Sequence, residues 1–301
     1  MKILVTGANG LLGQKLSQLL DGKDDIDLVA TARSPLSIKL KRGKFKILDI
    51  TNQTSIEAVV SETRPDVIVN TAAMTQVDEC ETERDKCWRS NVTAVEYLVK
   101  ACKENKAKLI HVSTDFIFDG THGPIKEDAK PSPVNFYGES KLEGEEAILT
   151  SDIDWAIART VLVFGITSDL SRSNIVLWVK QSLENGKTIN VVNDQWRTPT
   201  LAEDLAMGCY LLAIKNAKGI FHISGEEMMT PFDIAIKTAE YFQLDKSLIN
   251  PTDSNTFKQT AERPLKTGFD ISKAKERLGY QPHTFSEGLA ILESQILCLK
   301  K

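Results

Sequence analysis

The stretch that most constrains this chain is Lys2–Leu20, KILVTGANGLLGQKLSQLL. An apolar run, Ile3–Val5, meets Gly7, Gly10 and Gly13, and leucines at 11, 12, 16, 19 and 20 then recur at helical spacing. The pattern predicts a buried strand, a glycine turn and a helix. Such a turn leaves backbone N–H groups unpaired at a helix N-terminus, where aligned peptide dipoles add partial positive charge. A pyrophosphate can sit there without a basic side chain. Gly7 is expected to permit the tight turn, Gly10 to let backbone approach the phosphates, and Gly13 to let the helix pack closely on the strand. The spacing is G-x-x-G-x-x-G rather than the commonest dinucleotide fingerprint, so an ordinary strand-to-helix turn is the alternative that context must decide.

The context is a series of apolar runs alternating with helical stretches. Strands are predicted at Asp27–Ala32, Lys44–Leu48, the apolar core of Pro65–Ala73, Lys108–Val112 and Asp154–Arg159, with helices between them, including one long stretch over roughly Glu83–Asn105. This alternation predicts an α/β fold of the Rossmann type, a doubly wound parallel sheet with helices on both faces. Ligands of such sheets bind beyond the carboxyl ends of the strands. The glycine turn, Arg33, Asp49, Ile50, Thr71–Ala73 and Ser113–Asp115 all fall there. Arg33 stands where an NAD-preferring site carries an acid; a guanidinium there suits the 2′-phosphate of NADP, and a solvated surface arginine is the alternative. Asp49 lies where an adenine amino group would be, or it belongs to the start of the next helix, which Thr51 or Asn52 could also cap. After residue 160 the alternation fades into shorter helices and strand-like pieces at Thr188–Val192 and Gly219–Ile223. The expected division is a dinucleotide-binding domain over 1–160 and a smaller mixed α/β substrate lobe over 161–301.

Composition narrows the function. The net charge of −4 carries no basic field for nucleic acid or an anionic membrane. No apolar run reaches the roughly 20 residues that span a bilayer, so a cytoplasmic protein is expected. Cys80, Cys87, Cys102, Cys209 and Cys298 match neither a zinc ligand set nor a C-x-x-C pair and are expected as reduced, structural thiols. The four histidines are equally dispersed, and no metal site is expected.

Tyr137-Gly138-Glu139-Ser140-Lys141 places a phenol and an amine four residues apart, on one face of a helix. A tyrosine is a poor acid-base group near neutrality, and an ammonium held close lowers its pKa. The alternative is an exposed helix pair. Thr114, at the tip of the fifth strand, argues for the chemical reading. At this point TGANGLLG, NTAA at 70–73, HVSTDFIFDG at 111–120 and YGESK at 137–141 resemble the extended branch of the short-chain dehydrogenase/reductase superfamily. VDECE at 77–81, VVNDQWRTPT at 191–200 and the Arg263-Pro264 pair narrow the resemblance to the dTDP-4-dehydrorhamnose reductase family, over nearly the whole chain.

The resemblance implies roles for particular residues. Tyr137 would protonate the oxygen of a sugar ketone as hydride arrives from NADPH or NADH, Arg33 favouring NADPH. Lys141 would bind the ribose and depress the tyrosine pKa, and Thr114 would hydrogen-bond the same oxygen. Asp115 would contact the substrate. Gly10, Leu11 and Leu12 would supply pyrophosphate amides, Asp49 and Ile50 the adenine pocket, and Ala72, Ala73 and Met74 the nicotinamide side. Trp196 and Arg197 could stack on a base and meet a diphosphate, or pack the lobe and pair with an acid; Arg263 is equally open. Three departures stand out. Leu162 replaces an aromatic platform, Lys15 replaces an acidic metal ligand, so no magnesium is expected, and Phe116 replaces a tyrosine. The implied function is reduction of a nucleotide-linked 4-keto sugar, most closely dTDP-4-dehydro-L-rhamnose, for cell-surface polysaccharide synthesis. Two alternatives stay open: an epimerase with tightly bound NAD, and a non-catalytic regulatory subunit like that of methionine adenosyltransferase. A homodimer is also left open.

Overall fold

The computed structural model describes residues 1–168, 173–256 and 259–299. The first half alternates strand and helix: β1 (Lys2–Thr6), α1 (Leu11–Asp21), β2 (Asp27–Ala32), β3 (Lys44–Ile47), α2 (Gln53–Thr63) and β4 (Val67–Asn70). There follow α3 (Val77–Thr82), α4 (Arg84–Trp88), α5 (Ala94–Asn105), β5 (Lys108–Thr114), α6 (Phe136–Leu149) and β6 (Trp155–Thr160). The second half holds β7 (Val163–Phe164), α7 (Ile175–Glu184), β8 (Ile189–Val192), β9 (Thr200–Leu201), α8 (Ala202–Ile214) and β10 (Gly219–His222). It ends with α9 (Pro231–Tyr241), β11 (Ile249–Thr252), α10 (Ser272–Leu278) and α11 (Phe285–Leu299).

Seven strands form one parallel sheet in the order β10-β6-β5-β4-β1-β2-β3. Parallel strands covered on both faces read as continuous apolar runs, as β1 does: Ile3, Leu4 and Val5 are fully buried. Because side chains alternate across a strand, Ile3 and Val5 join the core beneath α1 and α8, while Leu4 joins the opposite core with Ile56 and Val60 of α2 and Leu98 of α5. Each such side chain contributes about 1.5–3 kcal/mol on burial. The strand order runs outward in both directions from β1, which opens a crevice at the carboxyl ends of β1 and β4. In register across it stand Thr6 beside Asn70 and Asn70 beside His111. The second half supplies the edge strand β10 and the helix α8 that packs on α1. It also builds a separate parallel pair, β8 with β11, covered by α7 and α9.

One expectation is refined and one corrected. The helical stretch over 83–105 runs from Arg84 to Asn105, set off from α3 by Glu83 at φ −114 and ψ 51, and it passes through a π turn at Arg89–Thr93 between α4 and α5. The wider turn aims the side chain of Asn91 inward. The break at Glu83 also folds α4 back on α3, which brings Cys80 and Cys87 within 5.3 Å at Cα and joins them in a disulfide, where reduced thiols were expected. Their sequence spacing held no sign of this, because the break decides it. Cys102 and Cys209 are buried thiols and Cys298 is exposed. Among the described residues no helix is long and apolar enough to cross a membrane.

Candidate active site

The glycine turn carries out several of the tasks its sequence suggests. Gly7 sits at φ 68, a conformation closed to most side chains. Gly10 N–H closes the turn on the Gly7 carbonyl at 2.8 Å. Gly10 is the N-cap of α1 and offers no side-chain cap, which leaves the first N–H groups, at Leu11 and Leu12, for a ligand. A Cβ on Gly13 would lie 2.1 Å from the Gly7 carbonyl oxygen, so this glycine lets the helix pack on the turn itself. The cradle fits a pyrophosphate. Asn9 fastens the turn to the loop after β2: its amide donates to Pro35 O at 2.9 Å, and its Oδ1 accepts from Ser37 N–H at 2.9 Å. Arg33 begins that loop, exposed and in no ion pair among the described residues. Asp49 is half-buried and accepts from the N–H and hydroxyl of Thr51, while Asn52 caps α2. Ile50 is buried beside it.

The carboxyl end of β4 continues into half-buried Ala72 and Ala73 and buried Met74. Asn91 clamps this loop, its Oδ1 accepting from Met74 N–H at 2.9 Å and its Nδ2 donating to Met74 O at 3.0 Å and to Ser140 Oγ at 3.0 Å. The loop is thereby tied to α6. The signal for Asn91 was present as a polar residue within the buried stripe Cys87, Asn91, Val95, Leu98 and Cys102 of a helical stretch.

Tyr137 is brought to the tip of β5, where Thr114 stands, by a fourth glycine, Gly138. Asn135 caps α6, and a Cβ on Gly138 would stand 2.2 Å from Phe116 O, so α6 begins in direct contact with the 3-10 turn Asp115–Ile117 at the tip of β5. The ring of Phe116 packs edge-on against Tyr137 with centroids 5.7 Å apart. Tyr137 and Thr114 are both buried. Burial pushes the phenol up to about 12; hydrogen bonding with Thr114 opposes this and the charge of Asp115 adds to it. Lys141 was expected to depress that pKa. In the structure its amine points elsewhere, donating to Val112 O at 2.8 Å and standing 3.1 Å from His111 Nε2, and burial lowers it to about 8. Tyr137 is therefore a protonated phenol across the neutral range.

Asp115 is buried with its Oδ1 accepting from Thr114 Oγ1 at 3.1 Å, its Oδ2 accepting from Thr267, and Arg197 Nε 3.6 Å away. Burial raises its pKa and Arg197 opposes the rise. Arg197 is itself buried, its remaining donors on the carbonyls of Trp196, Pro264 and Leu265. It holds the site together from inside, whereas Trp196 is exposed beside it. Arg263 grips Asp78 of α3 with two 3.0 Å contacts. Leu162 lies between β6 and β7 at φ 37, packed into the core. Lys15 pairs with Glu203 at 3.0 Å. The site thus gathers Thr114, Asp115, Tyr137 and Lys141 at the carboxyl end of the sheet with the glycine turn, Arg33 and the Ala72–Met74 loop.

The chain matches the RmlD substrate binding domain family over residues 1–296. It is 32% identical over 289 residues to the methionine adenosyltransferase 2 subunit beta of Pongo abelii, covering 94% of this chain and 84% of that protein. A solved dTDP-4-dehydrorhamnose reductase from Clostridium acetobutylicum superimposes with a TM-score of 0.88 at 28% identity, covering 99% of this chain and 100% of that one. One from Bacillus anthracis, solved in complex with NADP, gives 0.84 at 27% identity, over 98% and 99%.

Proposed function

The chain belongs to the RmlD substrate binding domain family, within the extended short-chain dehydrogenase/reductase superfamily, and on that footing we propose that it reduces the 4-keto group of a nucleotide-linked deoxysugar, converting dTDP-4-dehydro-L-rhamnose to dTDP-L-rhamnose with NADPH. The observation that carries this reading is the placement of Tyr137, packed on Phe116 just after Thr114 at the tip of β5, at the carboxyl end of the sheet where α1 presents uncapped N–H groups. The NADP complex of the Bacillus anthracis reductase supports the cofactor.

A bound nicotinamide supplies hydride to the carbonyl carbon. Tyr137 gives its proton to the carbonyl oxygen, and Thr114 hydrogen-bonds the same oxygen and helps stabilise the charge that develops there. Lys141 directs an N–H to the ribose. The amides of Leu11 and Leu12, with Gly7, Gly10 and Gly13 clearing the approach, take the pyrophosphate. Arg33 takes the 2′-phosphate, Asp49 and Ile50 the adenine, and Ala72, Ala73 and Met74 line the nicotinamide side. Asp115 contacts the sugar, with Trp196 and Arg263 at the nucleotide.

The test is an absorbance assay at the reduced nicotinamide band with a panel of dTDP- and UDP-linked keto sugars. Oxidation with a dTDP-linked 4-keto sugar supports the reading. No oxidation with any sugar overturns it and leaves the second reading, a non-catalytic subunit, which the likeness to the methionine adenosyltransferase subunit favours. Sugar conversion without net oxidation identifies an epimerase.

A further inference from the structure

Lys141 does not face water. The polar wall around its amine comes from three neighbouring strands, with Thr6 of β1, Asn70 of β4 and His111 of β5 side by side in register and all buried. They form a hydrogen-bonded row. Ala72 N–H donates to Thr6 Oγ1 (3.3 Å), Thr6 Oγ1 donates to Asn70 Oδ1 (2.6 Å), Asn70 Nδ2 faces His111 Nδ1 (3.1 Å), and His111 Nε2 faces Lys141 Nζ (3.1 Å).

The direction of the row follows from which atoms can donate. Among the described residues Asn70 Oδ1 is the acceptor for the Thr6 hydroxyl, which turns the amide NH2 toward His111. Nδ1 must then accept, so a neutral ring carries its proton on Nε2, aimed at Lys141. Burial holds His111 well below its ordinary pKa, and the ring is neutral. An ammonium has no lone pair to receive this hydrogen bond. A neutral amine has one, and keeps an N–H for Val112 O.

We propose that His111 is a positioning residue for Lys141: its Nε2–H donates to the neutral Lys141 amine, and Asn70 and Thr6 fix the tautomer in which it does so. With the lone pair held by His111 and one N–H by Val112, a single N–H is left to point into the cleft. Lys141 is already lowered to about 8 by burial, so the amine form is accessible under ordinary conditions. The charge of Glu145 opposes that lowering, and the charged groups nearby have partners of their own. Glu145 of α6 is gripped by Arg159 of β6 through both oxygens, Asp115 by Arg197, and Glu81 of α3 pairs with Arg84 of α4; Tyr137 is neutral.

The inference rests on the proposed reductase site, but its test needs neither cofactor nor substrate, so either can fail without the other. In 15N-histidine-labelled protein, long-range 1H–15N correlation at pH 9 reads which ring nitrogen is protonated, with His111 assigned by its loss in His111→Gln. Protonation on Nε2 is expected, and protonation on Nδ1 overturns the proposal. The 13Cε resonance of Lys141, assigned with Lys141→Met, is then titrated. His111→Leu removes a hydrogen bond to the neutral form and should raise the Lys141 midpoint by about one unit, roughly tenfold in proton affinity. His111→Gln, which keeps an amide donor, should restore most of the wild-type value. A midpoint that falls or stays in His111→Leu also overturns the proposal, and if the variants do not fold the tautomer measurement on the unsubstituted protein still decides, with the His111 ring assigned by through-bond correlation to its own backbone.

Discussion

Replacing Gly13 by alanine adds one methyl group where the structure has no room for it. The Cβ would lie 2.1 Å from the Gly7 carbonyl oxygen, 2.7 Å from its carbon and 2.8 Å from Ala8 Cα, against a floor of 3.0 Å for real contacts. All three are backbone atoms, so no side chain can rotate away. The turn and the helix must separate by about 1 Å. In an unstrained helix the same change gains up to about 1 kcal/mol in propensity, whereas forced overpacking costs about 1–3 kcal/mol. With contacts this short the upper end applies, and the net loss is about 2 kcal/mol, a fall in Tm of about 4 °C for a chain of this size. The same displacement moves the Leu11 and Leu12 amides, so NADPH affinity should fall about tenfold or more, the loss of about 1.4 kcal/mol of binding. Gly22→Ala at the other end of α1 is the control, since its Cβ would meet nothing closer than Leu19 O at 3.4 Å and its φ is −82. Thermal unfolding and a fluorescence titration with NADPH measure both effects. A Gly13→Ala protein with wild-type Tm and wild-type affinity would refute the packing argument.

Tyr137→Phe should lower turnover by about 10²-fold or more while NADPH binding stays within about twofold, read by nicotinamide absorbance and fluorescence; retained turnover would remove the phenol from the mechanism. His222, stacked on Phe269 at 3.7 Å and buried, is pushed down to about 3. Its folded value lies below the unfolded one near 6.5, so its stabilisation is complete above about 6.5 and drains away as pH falls toward 3, by about 1.4 kcal/mol per unit. Urea midpoints at pH 7.5 and 5.5 should therefore diverge more in the wild type than in His222→Leu. For the cysteines, a thiol reagent should find one fast-reacting group in the native protein, Cys298, and three after denaturation without reductant; five would show that Cys80 and Cys87 are not bridged.

Residues 1–160 were readable because each of their elements announces itself locally. Apolar runs of strand length, helical leucine spacing and glycines at fixed offsets placed β1 to β6, the turn and α6, and with them Tyr137, Thr114 and the uncapped end of α1. The π turn at Arg89–Thr93 was not readable, because a tract with helical periodicity carries no mark of a local widening that serves the contacts of Asn91 with Met74 and Ser140. The strands β7 and β9 were missed because two residues hold too little periodicity to register, and β11 because Pro251 interrupts it.

The sequence by itself determined the fold class, the phosphate cradle and the residue types of the site, since these depend on backbone sterics and on periodicity within a few turns. Which partner each polar group took was decided only in three dimensions. Lys141 sits four residues from Tyr137, yet its amine turned to His111, 30 residues away, because two adjacent strands and a helix leave that direction alone polar. Arg197 turned inward to Asp115, 82 positions earlier in the chain, because burial required its charge to be paired. Hydrogen bonds and ion pairs in a dry interior are satisfied by whatever the packing brings within about 3 Å, and that neighbourhood is a property of strand order rather than of sequence spacing.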